Sequence, residues 1–131
     1  MSTFNRHLAA AVVAVLLIGA GAFLPRLLAS RETVREIRVT ARGMAFHVED
    51  VAGLNPSVLL SAGEQVRLTF RNDDRGMIHD FAIPEWGVRT GNLEFGVQKS
   101  IVFEVPRSGS GAAYQCTPHS AMMSGRILIA R

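Results

Sequence analysis

The chain has 131 residues, 48% of them hydrophobic and 19% charged, with a formal net charge of +3. That composition suits one globular domain with a core of its own and excludes a disordered polymer. The positive charge rests almost wholly on arginine, acidic residues are interspersed with it, and no basic run carries interleaved aromatics, so no nucleic-acid partner is expected.

The first thirty residues, MSTFNRHLAAAVVAVLLIGAGAFLPRLLAS, stand apart. Arg6 lies in a short polar start, His7 belongs to the same segment, and the run from Leu8 to Pro25 is uncharged. The run is slightly shorter than the ~20 residues that span a bilayer comfortably. It is apolar on every face and precedes all the alternating segments, which reads as export. Residues 1–30 are then either a signal peptide, with a small-x-small cleavage site at Ala20-Gly21-Ala22, or a membrane anchor formed by residues 8–25. The folded part would lie in the periplasm or on the extracytoplasmic face of the membrane. Residues 31–34 read as a linker and residues 35–131 as the domain.

From Arg35 onward the pattern is that of strands. REIRVTAR alternates through Ile37 and Val39, and GMAFHVED through Met44, Phe46 and Val48. PSVLLSAGEQVRLTFRNDD holds two runs around the Ala62-Gly63 turn, with Val66, Leu68 and Phe70 on one face and Arg67, Thr69 and Arg71 on the other. IHDFAIP is a short apolar strand halted by Pro84. QKSIVFEVP groups Ile101, Phe103 and Val105, GAAYQC follows a glycine-rich turn, and GRILIAR closes the chain. About seven strands with no amphipathic helix after the leader predict an all-β fold, an antiparallel β-sandwich. His47 is out of phase with Phe46 and reads as a surface histidine, and Trp86 reads as loop packing.

The chemistry collects in YQCTPHSAMM. Cys116 is the only cysteine, so in an oxidising compartment it has no partner within the chain. Tyr114 and Cys116 are two apart on a strand and share a face, and Gln115 points away. Cys116, His119 and Met122 then place a thiol, an imidazole and a thioether in one tight loop, which Pro118 stiffens. With an imidazole from His79 upstream, two histidines and a cysteine can form a trigonal set with methionine as a weak axial donor, the blue-copper arrangement. Thiolate and thioether suit Cu(I), while imidazole binds both oxidation states. Zinc prefers four strong tetrahedral ligands and rarely takes methionine. A dinuclear copper site would need a second cysteine in the loop.

CTPHSAM followed by GRILI, the Tyr-x-Cys step, and SAGEQVRLTFRNDD together resemble the cupredoxins of the plastocyanin, pseudoazurin and amicyanin group over residues 35–131. The ligand loop is most similar to that of amicyanin. The resemblance implies a Greek-key β-sandwich holding one copper ion through His79, Cys116, His119 and Met122. Two departures stand out. Asp80 occupies the place after the first histidine where the family usually has asparagine, and as a carboxylate it can accept hydrogen bonds but not donate them. Met123 offers a second thioether, the one an azurin-like gap of three residues would select, whereas the two-residue gap of amicyanin selects Met122.

The implied function is electron transport: single electrons shuttled between exported or membrane-bound redox partners such as a cytochrome, a dehydrogenase or a terminal oxidase. Pro118 and Ala121, with Trp86 or Met123, are expected around the surface edge of His119. The alternative is a copper carrier or buffer that delivers metal to a cuproenzyme, for which Met44, Met77, Met122 and Met123 are available, although they form no Met-x-x-Met run. An enzyme is not expected, because four protein ligands leave the metal no open position.

Overall fold

The computed structural model describes residues 33–130, so the leader and any cleavage within it lie outside the described residues. Nine strands follow in order: β1 (Arg35–Ala41), β2 (Phe46–Val48), β3 (Val58–Ser61), β4 (Gln65–Asn72), β5 (Ala82–Ile83), β6 (Val88–Arg89), β7 (Gln98–Glu104), β8 (Gly111–Gln115) and β9 (Ser124–Ala130). Short 3-10 turns at Pro84–Trp86 and Thr117–His119 are the only helical elements among the described residues. The strands form two sheets, β2-β1-β4-β7 and β3-β9-β8-β5-β6, packed face to face.

The expected β-sandwich is present, with two features that alternation does not reveal. Pairing is parallel between β1 and β4, from Arg35↔Val66 to Ala41↔Asn72, and between β3 and β9, from Val58↔Ile127 to Ser61↔Ala130. The remaining pairings are antiparallel. The second feature is β6, a two-residue strand opposite β5 that is too short to carry a period of its own.

Period-two alternation decides which side chains meet between the sheets. On β4 the inward set is Val66, Leu68 and Phe70, each at most 3% exposed. Those positions lie beside Ile37 and Val39 of β1 in the same sheet and share one apolar cluster with Ala112 and Tyr114 of β8 in the other sheet. Towards one end of the sandwich the cluster becomes aromatic. Phe46 meets Phe70, Phe81 and Tyr114 edge-on at centroid distances of 5.9, 5.5 and 5.5 Å, and Phe81 stacks on Tyr114 at 5.2 Å. Edge-on and offset pairs of this kind contribute about 0.5–1.5 kcal/mol each beyond area burial. They make a stiff floor beneath the residues that follow Tyr114.

Tyr114 is itself pinned. Its hydroxyl donates to the carbonyl of Pro56 at 2.6 Å in a fully buried setting, and burial raises its pKa well above the ordinary phenol value. Its ring lies over Gly125, its partner on β9, where an added Cβ would stand 2.3 Å from the ring. Only glycine leaves room for the tyrosine there.

Tyr114→Phe should therefore lower the unfolding free energy by about 1–3 kcal/mol, because it leaves the buried Pro56 carbonyl without a donor. Urea denaturation followed by tryptophan fluorescence checks this; an unchanged midpoint would contradict it.

Candidate metal centre

Three segments converge above the aromatic floor. His79 stands just before β5 and is held by a two-way bridge to Leu93: its N–H donates to the Leu93 carbonyl at 3.2 Å, and the Leu93 N–H donates back at 2.8 Å. Buried Asn72 fastens the same loop by donating to the carbonyls of Met77 and Leu93 at 2.8 and 2.9 Å. Cys116 continues the inward phase of Ala112 and Tyr114 past the end of β8. His119 ends the 3-10 turn that runs from Thr117 through Pro118, and its N–H donates to the Cys116 carbonyl at 3.1 Å.

The ligating atoms of His79, Cys116 and His119 all lie within 4.8 Å of one another. The Cys116 Sγ is 3.5 Å from His79 Nδ1 and 3.6 Å from His119 Nδ1. The two imidazoles meet edge to face, with centroids 4.9 Å apart. His79 and Cys116 have no exposed surface, and His119 is half-buried. Metal–nitrogen and metal–sulfur bonds of about 2.0 and 2.3 Å reproduce those nitrogen–sulfur separations at angles of roughly 110–115°. The donor chemistry and both nitrogen–sulfur separations thus fit a first-row metal ion of soft or borderline character. Burial pushes the Cys116 thiol pKa up, partly opposed by the backbone N–H groups of Asp80 and His119. A metal cation among these donors would supply the charge that lets the sulfur bind as thiolate.

The two methionines are separated by their phase on β9. In the β8–β9 ladder the partners run from Gly111↔Leu128 to Gln115↔Ser124, and the next pair is Cys116 opposite Met123, whose carbonyl accepts the Cys116 N–H at 3.0 Å. Met123 is fully buried in the core cluster, in phase with Gly125 and Ile127. Met122, the residue favoured by an amicyanin-like gap, is 56% exposed. Its carbonyl accepts a bond from Asn55 Nδ2 at 3.0 Å, which fixes the loop with that side chain outward. Strand alternation, counted back from Ile127, was the sequence signal that favours Met123.

Asp80 ties the two ligand loops together. Its carboxylate accepts the Thr117 N–H at 2.5 Å and the Thr117 hydroxyl at 2.7 Å, so the residue after His79 holds the residue after Cys116. Fully buried, it is balanced by the Arg89 guanidinium 3.6 Å away. Trp86 is not at the His119 edge: it packs against Phe103 at 6.1 Å, on the core side of β7. His47 is half-buried, bonded through Nε2 to the Arg42 carbonyl, and outside the cluster. Asp74, which no local pattern marks, contacts the far side of His79, with 3.0 Å between His79 Nε2 and its Oδ2. Burial works to raise its pKa, but the N–H groups of Met44 and Gly43 and the His79 ring outweigh it and hold the carboxyl below its usual range.

No family model and no curated protein matches the chain. Solved structures do. Rusticyanin from Thiobacillus ferrooxidans is 24% identical, with a TM-score of 0.60, 77% of this chain covered and 79% of that one. Auracyanin from Roseiflexus castenholzii is 17% identical, with a TM-score of 0.59 and coverage of 76% and 99%. The chain has the cupredoxin fold. Auracyanin A of Chloroflexus aurantiacus, a blue copper protein, aligns as well, at 15% identity and a TM-score of 0.59, with 75% of this chain and all of that one covered. Within this cupredoxin sandwich the three-donor cluster sits where β8 gives way to the loop before β9.

Asp80→Ala should destabilise the metal-free protein by about 2 kcal/mol, since two donors on Thr117 lose a charged acceptor. Asp80→Asn keeps an acceptor and should recover part of the loss. Parallel urea titrations of the metal-free variants decide it, and equal midpoints for Asp80→Ala and the unmodified protein would refute the loop-tying role.

Proposed function

We propose that the chain is a type 1 copper protein that carries single electrons between redox partners outside the cytoplasm. The observation that carries this reading is the convergence of His79, Cys116 and His119 with nitrogen–sulfur separations of 3.5 and 3.6 Å. His79, Cys116 and His119 would hold the copper ion as strong donors, and Met123 would add a weak thioether donor. Its burial and its position opposite Cys116 support Met123 over Met122. A single bound copper ion supplies a one-electron couple between Cu(I) and Cu(II).

The residues do the rest. The Cys116–Met123 and Cys116–His119 backbone bonds fix the loop, and the bridge to Leu93 fixes His79, so the donors stand in place before any metal arrives. Complete burial of His79 and Cys116 excludes water from a vacant coordination position. Only His119 reaches towards the surface, beside exposed Pro118, Ala121 and Met122. That edge is the route by which an electron would leave or enter, and an exported or membrane-bound cytochrome, dehydrogenase or terminal oxidase would dock there. The apolar run of residues 8–25 would direct the domain of residues 35–131 out of the cytoplasm, as a cleaved signal or as an anchor. Export of this kind also accords with a lone cysteine reserved for metal.

A copper carrier hands its metal over, which requires ligands an acceptor can reach. Two of the three strong donors here are fully buried, and this favours electron transfer over metal delivery.

Two outcomes test the proposal. The protein loaded with Cu(II) should bind one ion and display an intense visible thiolate-to-copper band, and Cys116→Ser should abolish the band; a serine variant that stayed blue would remove the sulfur from the assignment. In redox titrations, Met123→Leu should stay coloured with a raised reduction potential, because losing a weak sulfur donor costs Cu(II) more than Cu(I). A tenfold change in relative affinity corresponds to about 59 mV. Met122→Leu should leave the potential unchanged, and the reverse pattern would shift the axial ligand back by one residue.

A further inference from the structure

The far side of His79 is wired to a carboxylate that the donor set itself does not require. Asp74 is five residues upstream, and its Oδ2 lies 3.0 Å from His79 Nε2. The histidine side chain has no exposed surface, and that of Asp74 is 14% exposed, so water has little chance to compete for the bond. The carboxylate is itself clamped. Oδ1 accepts the Gly43 N–H at 2.6 Å, and Oδ2 accepts the Met44 N–H at 3.0 Å.

The clamp has an unusual backbone. Gly43 and Met44 both have positive φ, 64° and 59°. Glycine adopts that conformation freely, but a methionine there is uncommon and needs a reason. Gly43 and Met44 are the two central residues of the hairpin turn between β1 and β2, closed by the Arg42 N–H to Ala45 carbonyl bond, and a two-residue hairpin turn favours positive φ at both. Their N–H groups both meet the Asp74 carboxylate, and that carboxylate meets the His79 imidazole.

The consequence for the ring follows from donor and acceptor chemistry. An ionised carboxylate only accepts hydrogen bonds, so Nε2 must carry the ring proton. Nδ1 is then left with its lone pair, and it is Nδ1 that faces the Cys116 sulfur at 3.5 Å. A carboxylate behind a ligating histidine fixes its tautomer and orientation and raises its basicity, and replacing such a partner typically changes metal affinity 10–100-fold.

We propose that Asp74 is a positioning residue that locks His79 in the Nε2–H tautomer with Nδ1 towards the metal, and that its negative charge biases the site towards Cu(II). The bias has a simple origin: the charge behind the ring stabilises the doubly charged ion more than the singly charged one, in surroundings too dry to screen it. This rests on the copper reading above, but its first half concerns the metal-free chain alone.

The test uses the full chain in two arms. In the metal-free protein at neutral pH, nitrogen NMR of the His79 ring should find the proton on Nε2, slow to exchange with water. A ring protonated on Nδ1 would overturn the proposal without any reference to copper. In the copper-loaded protein, Asp74→Asn keeps an oxygen acceptor of the same shape and removes the charge. It should retain the visible band and shift the Cu(I)/Cu(II) affinity ratio at least tenfold towards Cu(I), read as a rise of about 59 mV or more. An Asp74→Asn protein that is folded, blue and unchanged in potential would overturn the charge effect. A colourless unmodified protein would instead sink the copper reading and leave the tautomer result standing. Should Asp74→Asn fail to fold, Met44→Gly relaxes the strained turn, and the same comparison is made in that background.

Discussion

One backbone contact organises the rest of this molecule: the bond from the Cys116 N–H to the Met123 carbonyl, one step beyond the last ladder pair of β8 and β9. Because side chains across an antiparallel pair share a face, that bond forces both sulfurs to the same side, within the reach of cross-strand neighbours. The six residues between them have to close a tight loop, and they do so around the 3-10 turn of Thr117–His119. The turn swings His119 back over the cysteine until its Nδ1 is 3.6 Å from the sulfur. Two of the three clustered donors, Cys116 and His119, thus come from one short segment whose geometry is set by strand pairing, and the third, His79, arrives from the neighbouring β5 segment. The aromatic floor of Phe46, Phe81 and Tyr114 gives these elements little freedom to shift.

Charge in the centre is arranged as carefully as shape. Two carboxylates flank the donor cluster, and each has its own hydrogen-bond partners. Asp80 binds Thr117 and faces Arg89, joining the histidine and cysteine loops. Asp74 binds the β1–β2 turn and the His79 ring. Among the described residues no buried side-chain nitrogen or oxygen lacks a partner, so neither acid is an isolated buried charge. The half-buried histidine is the exception to this enclosure. Its edge lies among small or apolar exposed side chains, where a partner could approach without displacing strongly held water.

Much of this was legible in the sequence, for physical reasons that can be named. Alternation in REIRVTA and QVRLTFRN survives because each strand buries one face, and Tyr114 and Cys116 share a face because the period of a strand is two. The close spacing of Cys116 and His119 brought their side chains together in a loop too short to separate them. What stayed hidden was non-local or out of phase with loop counting. The parallel pairings of β1 with β4 and β3 with β9 depend on chain crossings that no local pattern encodes. Asp74 meets Gly43 and Met44 across 31 and 30 residues, so nothing near it in the chain marks its role. Counting residues after His119 points to Met122, whereas counting strand phase back from Ile127 points to Met123, the buried side chain of the two. The amicyanin-like register is the reading that the exposure of Met122 disfavours.

The central claim is that a donor set held by the protein, not assembled by the metal, lets the site change charge with little movement. Electron self-exchange measures that property directly. When a small amount of the Cu(II) protein is added to the Cu(I) protein, proton NMR lines of residues near His79, Cys116 and His119 should broaden in proportion to the Cu(II) protein added, as electrons pass rapidly between molecules. Sharp lines that ignore the added Cu(II) protein would mean slow exchange, and with it a site built to hold copper rather than to pass electrons.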